Sequence, residues 1–346
     1  MKRLALPTIS AVLVSCTLVL GQVASPAAAC ACGAPAPPIG SDVNVGAEHA
    51  MIRWDGDLEE IVLQLDLTSD AGSTGLIFPT PSPATVTAGD PELFESLRDA
   101  MQPEIITEYD WWGLGGLLGS DGAPGDAGAG PEVLARVQLG PIEATTLAAS
   151  DSQGLTDWLT TNGYGLSDAV TAELPQYIDD GWSFVALKLT GDEPLDGALD
   201  PVTFTFETDS LVYPMRMSHA AEFSQSVRLW VLGDHRAVVT GGIDVDSSVA
   251  WAGPVDDPDL ADLGAYMTVV DLFWFDPLTI TEDLAIADAP NDDTDIPVQY
   301  RTEWVSVAGI PAGPLIVLGG IVVFVVGLVV LVRVVARRPV RAAARP

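Results

Sequence analysis

Three histidines, His49, His219 and His235, are the residues with which this chain could do acid–base chemistry near neutral pH. Ser218 precedes His219 and Asp234 precedes His235, so a nucleophile, a base and an orienting acid exist as residue types. A hydrolase triad needs those groups to meet in space, which adjacency in sequence does not achieve. The chain has neither a G-x-S-x-G elbow nor an H-E-x-x-H helix. With 48 acidic residues, some carboxylate near some histidine follows from composition alone. A glycosidase pair of carboxylates is open on the same ground, and nothing selects the pair.

Calcium is the other chemistry the residue types suggest. Aspartate outnumbers glutamate 33 to 15, and oxygen donors at alternate positions suit Ca²⁺. Asp55-Gly56-Asp57-Leu58-Glu59 and Asn291-Asp292-Asp293-Thr294-Asp295 each offer acceptors at their first, third and fifth positions. Asp55, Asp57, Asn291, Asp293 and Asp295 are therefore the candidate ligands. Both stretches lack the sixth-position glycine and twelfth-position glutamate of an EF-hand, and solvated Asp-rich turns look the same. No other cofactor is indicated. The aromatic pair Trp111-Trp112, beside a glycine-rich stretch, offers either an exposed binding patch or core filling, and reads as packing because Tyr109 and Leu114 lengthen its apolar run.

The two ends of the chain decide where any such chemistry would happen. Lys2 and Arg3, an apolar run from about Ile9 to Leu20, and Ala27-Ala28-Ala29 make up a secretory signal peptide over residues 1–29. Leu13-Val14-Ser15-Cys16 has the form of a lipobox, the rival reading. The apolar run continues past Cys16 and a second anchor exists downstream, which favours cleavage after Ala29. Cys30 and Cys32 then open the mature chain. A bond between them would close a tiny, strained loop, and pairing between two chains or a free state are the other options.

From Ile310 to Val332 the chain holds 23 residues without a charge. At about 1.5 Å per residue this covers the ~30 Å hydrocarbon core. Arg333, Arg337, Arg338, Arg341 and Arg345 follow with no acid among them, and such residues stay cytoplasmic. Residues 30–305 are thus expected outside the cell membrane, in one domain or two closely packed halves, with 333–346 inside. Trp304 would suit an interfacial anchor.

Between those ends only eight basic residues face the 48 acids, a balance near −40. Nucleic-acid binding needs Lys and Arg at phosphates, so it is excluded. Cations, basic peptides or cationic envelope components are the partners such a field attracts.

Short periodic apolar runs exclude a disordered acidic tail. Residues 59–67 alternate as a strand, and 74–78 read as a second strand halted by Pro79. Asp90-Pro91 opens a helix carrying Leu93, Phe94 and Leu97. Residues 113–131 read as a flexible loop, and 133–139 with 142–147 as a hairpin. Asp151 caps a helix ended by Asn162-Gly163, and Ser167 starts another that Pro175 kinks or stops. Further strands are expected at 184–189, 202–207, 227–232, 237–240 and 267–275, with Trp182 and Trp230 as core. The stretches 61–79 and 184–214 rhyme, each ending on aromatic-proline, read here as prolines ending strands. Some eight to ten strands and about three short helices, with turns too short for parallel crossovers, predict a β-rich, mainly antiparallel α+β body plus one C-terminal transmembrane helix.

Several segments together resemble the bacterial exported family called domain of unknown function 2330. They are Glu48-His49-Ala50-Met51-Ile52, Ile77-Phe78-Pro79-Thr80-Pro81 and Thr156-Asp157-Trp158-Leu159-Thr160-Thr161-Asn162-Gly163-Tyr164. To these add Tyr177-Ile178-Asp179-Asp180-Gly181-Trp182-Ser183-Phe184-Val185, and Thr203-Phe204-Thr205-Phe206 with Tyr213-Pro214-Met215-Arg216. The resemblance covers most of residues 30–240 and fits the acidic stretch 255–295 least. It implies a secreted or membrane-anchored protein, with Cys32-Gly33 matching a Cys-Gly near the mature N-terminus, and carries over no catalytic residue. The expected function is a non-enzymatic, membrane-anchored surface module. The alternative is a membrane-tethered hydrolase with an unrecognised site.

Overall fold

The computed structural model describes residues 33–113, 136–137, 143–147, 152–191, 194–242 and 244–337. The signal peptide, Cys16, Cys30, Cys32, most of the 113–131 loop and the end of the arginine tail lie outside them. Strand β1 (Ala34–Ala36) leads into β2 (Val43–Trp54), β3 (Leu58–Ser69), β4 (Ser73–Thr80) and β5 (Thr85–Ala88), then helix α1 (Leu93–Ala100) and β6 (Glu104–Asp110). Next come β7 (Arg136–Val137), β8 (Glu143–Leu147), α2 (Ser152–Thr161) and α3 (Asp168–Asp179). Strands β9 (Ser183–Thr190), β10 (Asp196–Leu199), β11 (Val202–Glu207) and β12 (Val212–Tyr213) follow. The remainder holds β13 (Gln225–Gly233), β14 (Ala237–Thr240), β15 (Asp246–Pro254), β16 (Tyr266–Trp274), β17 (Leu284–Asp288) and β18 (Val298–Trp304). Two short strands, β19 (Ser306–Val307) and β20 (Ile310–Pro311), precede α4 (Ala312–Ala336).

Alternation sorts these strands into layers. A large sheet runs β15-β16-β13-β2-β3, and β10 and β11 share the far edge of β3, with β7 and β5 outside them. One of its faces carries Ile61, Leu63, Leu65, Phe204, Leu229 and Leu272. A four-stranded sheet, β1-β4-β9-β8, presents Leu76, Phe78, Val185 and Leu187 to the same core, where Phe78 stacks on Phe204 at 4.1 Å. Strands β12-β17-β14 close the rest of that face with Tyr213, Leu284 and Ile286. Helices α2 and α3 cover the outside of the smaller sheet, and α1 covers the outside of the large one through Phe94 and Leu97. Each fully buried Leu or Phe contributes about 1.5–3 kcal/mol, so these interlayer faces hold the fold without disulfides among the described residues.

The fold is β-rich and mostly antiparallel, with three short helices in the body and one long apolar helix after it, as the pattern predicts. The parallel pairs are β2·β13, β7·β10 and β6·β18. The described residues hold twenty strands rather than eight to ten, because two- to five-residue strands leave no period to read. The expected hairpin at 133–147 is not formed by the described residues: β7 pairs with β10 and β8 with β9, in different sheets. Pro79 lies inside β4, not after it. Among the described residues β1 pairs only as far as Ile77, so Pro79 lies past the described ladder on that edge and is accommodated in the strand. Pro175 likewise does not stop α3, whose Val170, Leu174 and Tyr177 are all buried at helical spacing. Packing overrides the proline. Ser167 caps that helix by accepting from Val170 N at 3.2 Å. The rhyming stretches pair with each other, β3 with β11 and β4 with β9.

Candidate functional site

A β-bulge decides which residues of β2 face which way. Val45 pairs with Leu67, but the next partner of Leu65 is Glu48, so β2 carries one residue more than β3 between those pairs. A single extra residue exchanges the two faces of everything after it. Glu48 therefore points into the interlayer core, where the Tyr213 hydroxyl donates to it, and His49 points out towards α1.

His49 belongs to a polar row that crosses the large sheet in register. Ser248 is opposite Asp271, Asp271 opposite Arg228, Arg228 opposite His49, and His49 opposite Gln64. Arg228 forks onto Asp271, Nε to Oδ1 at 2.5 Å and Nη2 to Oδ2 at 2.7 Å, and lies 5.7 Å from the Trp230 ring. The imidazole is 5.5 Å from Trp230 and 6.2 Å from Phe94. His49 Nδ1 and Gln64 Oε1 are both buried without a hydrogen-bond partner. Burial first, and then the cations of Arg228 and Arg98, push the imidazole down to about 4. A cleft of about 320 Å³, lined by Ser226, Ser248 and Asp271 among others, opens beside it.

Residue types alone would make this a hydrolase site, but the geometry does not. Both Asp271 oxygens are engaged by Arg228, so the carboxylate orients the guanidinium and not the imidazole. A base titrating near 4 is also a weak proton acceptor at neutral pH. His219 lies half-buried on a 3-10 turn, Arg216–Ala220, beside the fully buried Ser218. His235 is exposed and bonds Asp292 at 3.1 Å, which raises its pKa. The three histidines thus occupy separate elements.

The calcium candidates divide between two places. Asp55 Oδ1 accepts from the backbone N of Asp57 at 3.1 Å and of Leu58 at 2.8 Å, closing the β2–β3 turn. Asn291 Oδ1 accepts from Asp293 N at 3.2 Å. Arg236 reaches into the second cluster, donating to Asp293 O and lying 3.6 Å from Asp295 Oδ2. Asp55 lines a groove of about 660 Å³, whereas Asn291 and Asp293 line a separate cavity of about 450 Å³. Among the described residues, no group of three or more His, Cys, Asp or Glu is arranged to hold a metal ion.

A sequence profile described as an uncharacterised protein conserved in bacteria, DUF2330, matches residues 26–287. The chain belongs to the DUF2330 family. The match extends beyond residue 240 into the acidic stretch that the motifs fit least. No curated protein matches the chain. Two solved structures are similar to it in part. A crystal structure of baculovirus P35 has 8% identity and a TM-score of 0.36, covering 74% of this chain and 97% of its own. A mutated baculovirus P35 after caspase cleavage has 7% identity and a TM-score of 0.34, covering 70% and 100%.

Within this DUF2330 chain, two of the segments that carry the resemblance, 177–185 and 213–216, meet at one junction around Asp283. Asp283 Oδ1 accepts from Tyr177 Oη at 2.9 Å, Met215 N at 2.8 Å and Arg216 N at 3.1 Å. Its Oδ2 accepts from Arg216 Nε at 2.8 Å. The guanidinium also bonds Asp180 at 2.6 Å and lies 4.3 Å from the Tyr177 ring and 5.5 Å from that of Trp182. Trp182, expected as core, is half-buried there, and Trp230 is fully buried. This junction ties α3, the 3-10 turn and the loop before β17 together. Asp283 and Asp271 were not found in the sequence because each lies over forty residues from its arginine. The available signal was scarcity: with so few cations, an arginine inside a strand pattern must find a carboxylate.

Proposed function

We propose that this DUF2330 protein is exported and anchored by α4, with its acidic body outside the cytoplasm and its arginine tail inside. In this reading the body is a non-enzymatic module that binds a cation, a basic peptide or a cationic envelope component. Helix α4 supports the anchor: within its 25 residues an 18-residue apolar stretch has a mean hydropathy of 3.3 and none of it is buried. It starts two residues after the expected span and runs four beyond it, taking in Arg333, whose long stem can reach an interface.

The observation that carries the binding role is the fate of the body's cations. Arg53, Lys188, Arg216, Arg228 and Arg236 are each held by a carboxylate, at 2.9, 3.5, 2.6, 2.5 and 3.6 Å. Most of the 48 acids are left for solvent and partners. Asp55, Asp234, Asp262 and Asp288 line the 660 Å³ groove together with the Arg53–Glu60 pair and apolar Leu211 and Leu263. A flexible basic segment would find both charge and apolar contact there. A histidine-dependent hydrolase at His49 would find its neighbouring acid, Asp271, occupied by Arg228.

Two experiments test these readings. Protease added to intact cells stripped of outer wall should digest the body and spare a C-terminal tag. A protected body with a digested tag would reverse the topology. For binding, full-length protein in neutral phosphatidylcholine nanodiscs is titrated with fluorescent oligolysine and, separately, melted in millimolar CaCl₂, MgCl₂ and NaCl of matched ionic strength. Oligolysine binding that weakens in Asp234→Asn/Asp288→Asn supports the groove. Stabilisation by calcium alone, lost on alanine substitution at Asp55 or Asp293, would make the cation calcium. No oligolysine binding at low salt together with equal melting shifts refutes the module.

A further inference from the structure

Strands β6 and β18 form a parallel ribbon that pairs with no other strand among the described residues, from Glu104 opposite Val298 to Asp110 opposite Trp304. Seven residues per strand reach about 23 Å at ~3.3 Å each. The ribbon leads directly to α4. Val305 N donates to Asp110 O at 3.0 Å, Ala312 N to Val305 O at 2.8 Å, and Gly313 N to Trp111 O at 2.6 Å. Asp110 Oδ1 accepts from Trp112 N at 2.8 Å and Gly113 N at 2.9 Å, turning the chain back at this level.

The contact is close enough to require glycine. A Cβ on Gly313 would fall 2.7 Å from Trp111 O and 2.8 Å from Trp112 Cδ2. Two residues later, at Leu315, the uninterrupted apolar surface of α4 begins, a rise of about 3 Å. At this height Trp111 and Trp112 are 47% and 52% exposed and Trp304 61%, with Tyr109 and Ile310 also open. The expectation that Trp111-Trp112 is packed inside is therefore wrong. Large aromatics bared to water are unfavourable, whereas the boundary between headgroups and acyl chains accepts their apolar body and polar edge together.

We infer that Trp111, Trp112 and Trp304 form an aromatic collar seated in the lipid headgroup region at the N-terminal end of α4. It makes a second membrane contact from a segment some 200 residues upstream of the helix in sequence. The collar fixes the ribbon upright on the bilayer and sets the height of the body above it. This rests on α4 lying in the bilayer.

The test uses the full chain, with its nine tryptophans, reconstituted in phosphatidylcholine vesicles or in vesicles brominated near the glycerol end of the acyl chains. Brominated lipid should quench about a third of the wild-type tryptophan emission, and Trp111→Phe/Trp112→Phe should lower the quenched emission about threefold. Trp304→Phe alone should lower it by about a third. Phenylalanine keeps the apolar ring, and an unchanged far-UV circular dichroism spectrum and melting temperature confirm folding. Co-flotation with undiminished quenching in the double variant overturns the collar while leaving the anchor intact. Failure of the wild-type chain to co-float overturns the anchor and the collar with it.

Discussion

Truncating Asp283 to alanine should destabilise the body more than removing the cation it faces. The carboxylate accepts four hydrogen bonds, three on Oδ1 and one on Oδ2. Its side chain is 10% exposed and that of Arg216 14%, so solvent screens neither much. Asp283→Ala leaves the guanidinium with only the half-exposed Asp180 and takes away the acceptor of the hydroxyl of fully buried Tyr177. Removing one partner of a buried pair costs about 3–5 kcal/mol. A body of this size shifts its midpoint by roughly 2–4 °C per kcal/mol, giving a loss of about 6–20 °C. Arg216→Met instead leaves Asp283 three donors and keeps an aliphatic stem against Tyr177 and Trp182, at about 1–2 kcal/mol. Thermal unfolding of the full chain in detergent micelles, followed by tryptophan emission, measures both. An Arg216→Met cost equal to or above that of Asp283→Ala would refute the carboxylate as the centre of the junction.

His49 and Glu59 should impose opposite pH dependences. His49 titrates near 4 in the fold against 6.5 when free, so the unfolded chain binds the extra proton between those values. Its stabilisation of about 3 kcal/mol is present above pH 6.5 and lost as pH falls to about 4; His49→Leu should flatten that limb in pH-dependent denaturant melts. Glu59 is fully buried, accepts from Val212 N at 3.2 Å, and is pushed well above its usual 4.5 by burial. Here the folded state holds the proton, so stability is full below about pH 4.5 and falls as pH rises towards the folded value, by at most about 1.4 kcal/mol per pH unit. Glu59→Gln should remove that slope and raise the melting temperature at pH 7; an unchanged slope would mean that Glu59 is ionised. Deleting Ala47 straightens the bulge while keeping Val45 opposite Leu67 and Glu48 opposite Leu65, so soluble folded protein should persist by gel filtration. Deleting Ala50, beyond the bulge, shifts the rest of β2 onto the wrong face and should abolish it.

The class of the fold was legible because apolar residues recur at a period of two along the long strands. In β3, Ile61, Leu63, Leu65 and Leu67 alternate, and the structure buries all four in one core. The helices were equally plain, since Ser167 and Gly163 mark their ends by capping and by a left-handed turn at φ +88°. Registers and partners were not legible. Nothing local says that β2 carries an extra residue before Glu48, yet that residue decides whether a histidine or a glutamate enters the core. The polar row through His49 draws on five strands between Gln64 and Ser248, and each side chain in it reads alone as an ordinary strand residue.

Misreading Trp111-Trp112 has the same physical origin. A local apolar run is consistent with burial in protein or with burial in lipid, and only the identity of the neighbour separates them. That neighbour is Gly313, two hundred residues on, brought alongside by a parallel strand pair that no short turn could make. Parallel pairing of β6 with β18 starts both strands at the body and ends both beside α4. An antiparallel hairpin there would have returned Trp111 to the body. With α4 in the bilayer as proposed, the direction of one strand pair brings the exposed tryptophans to the level where their exposure is favourable.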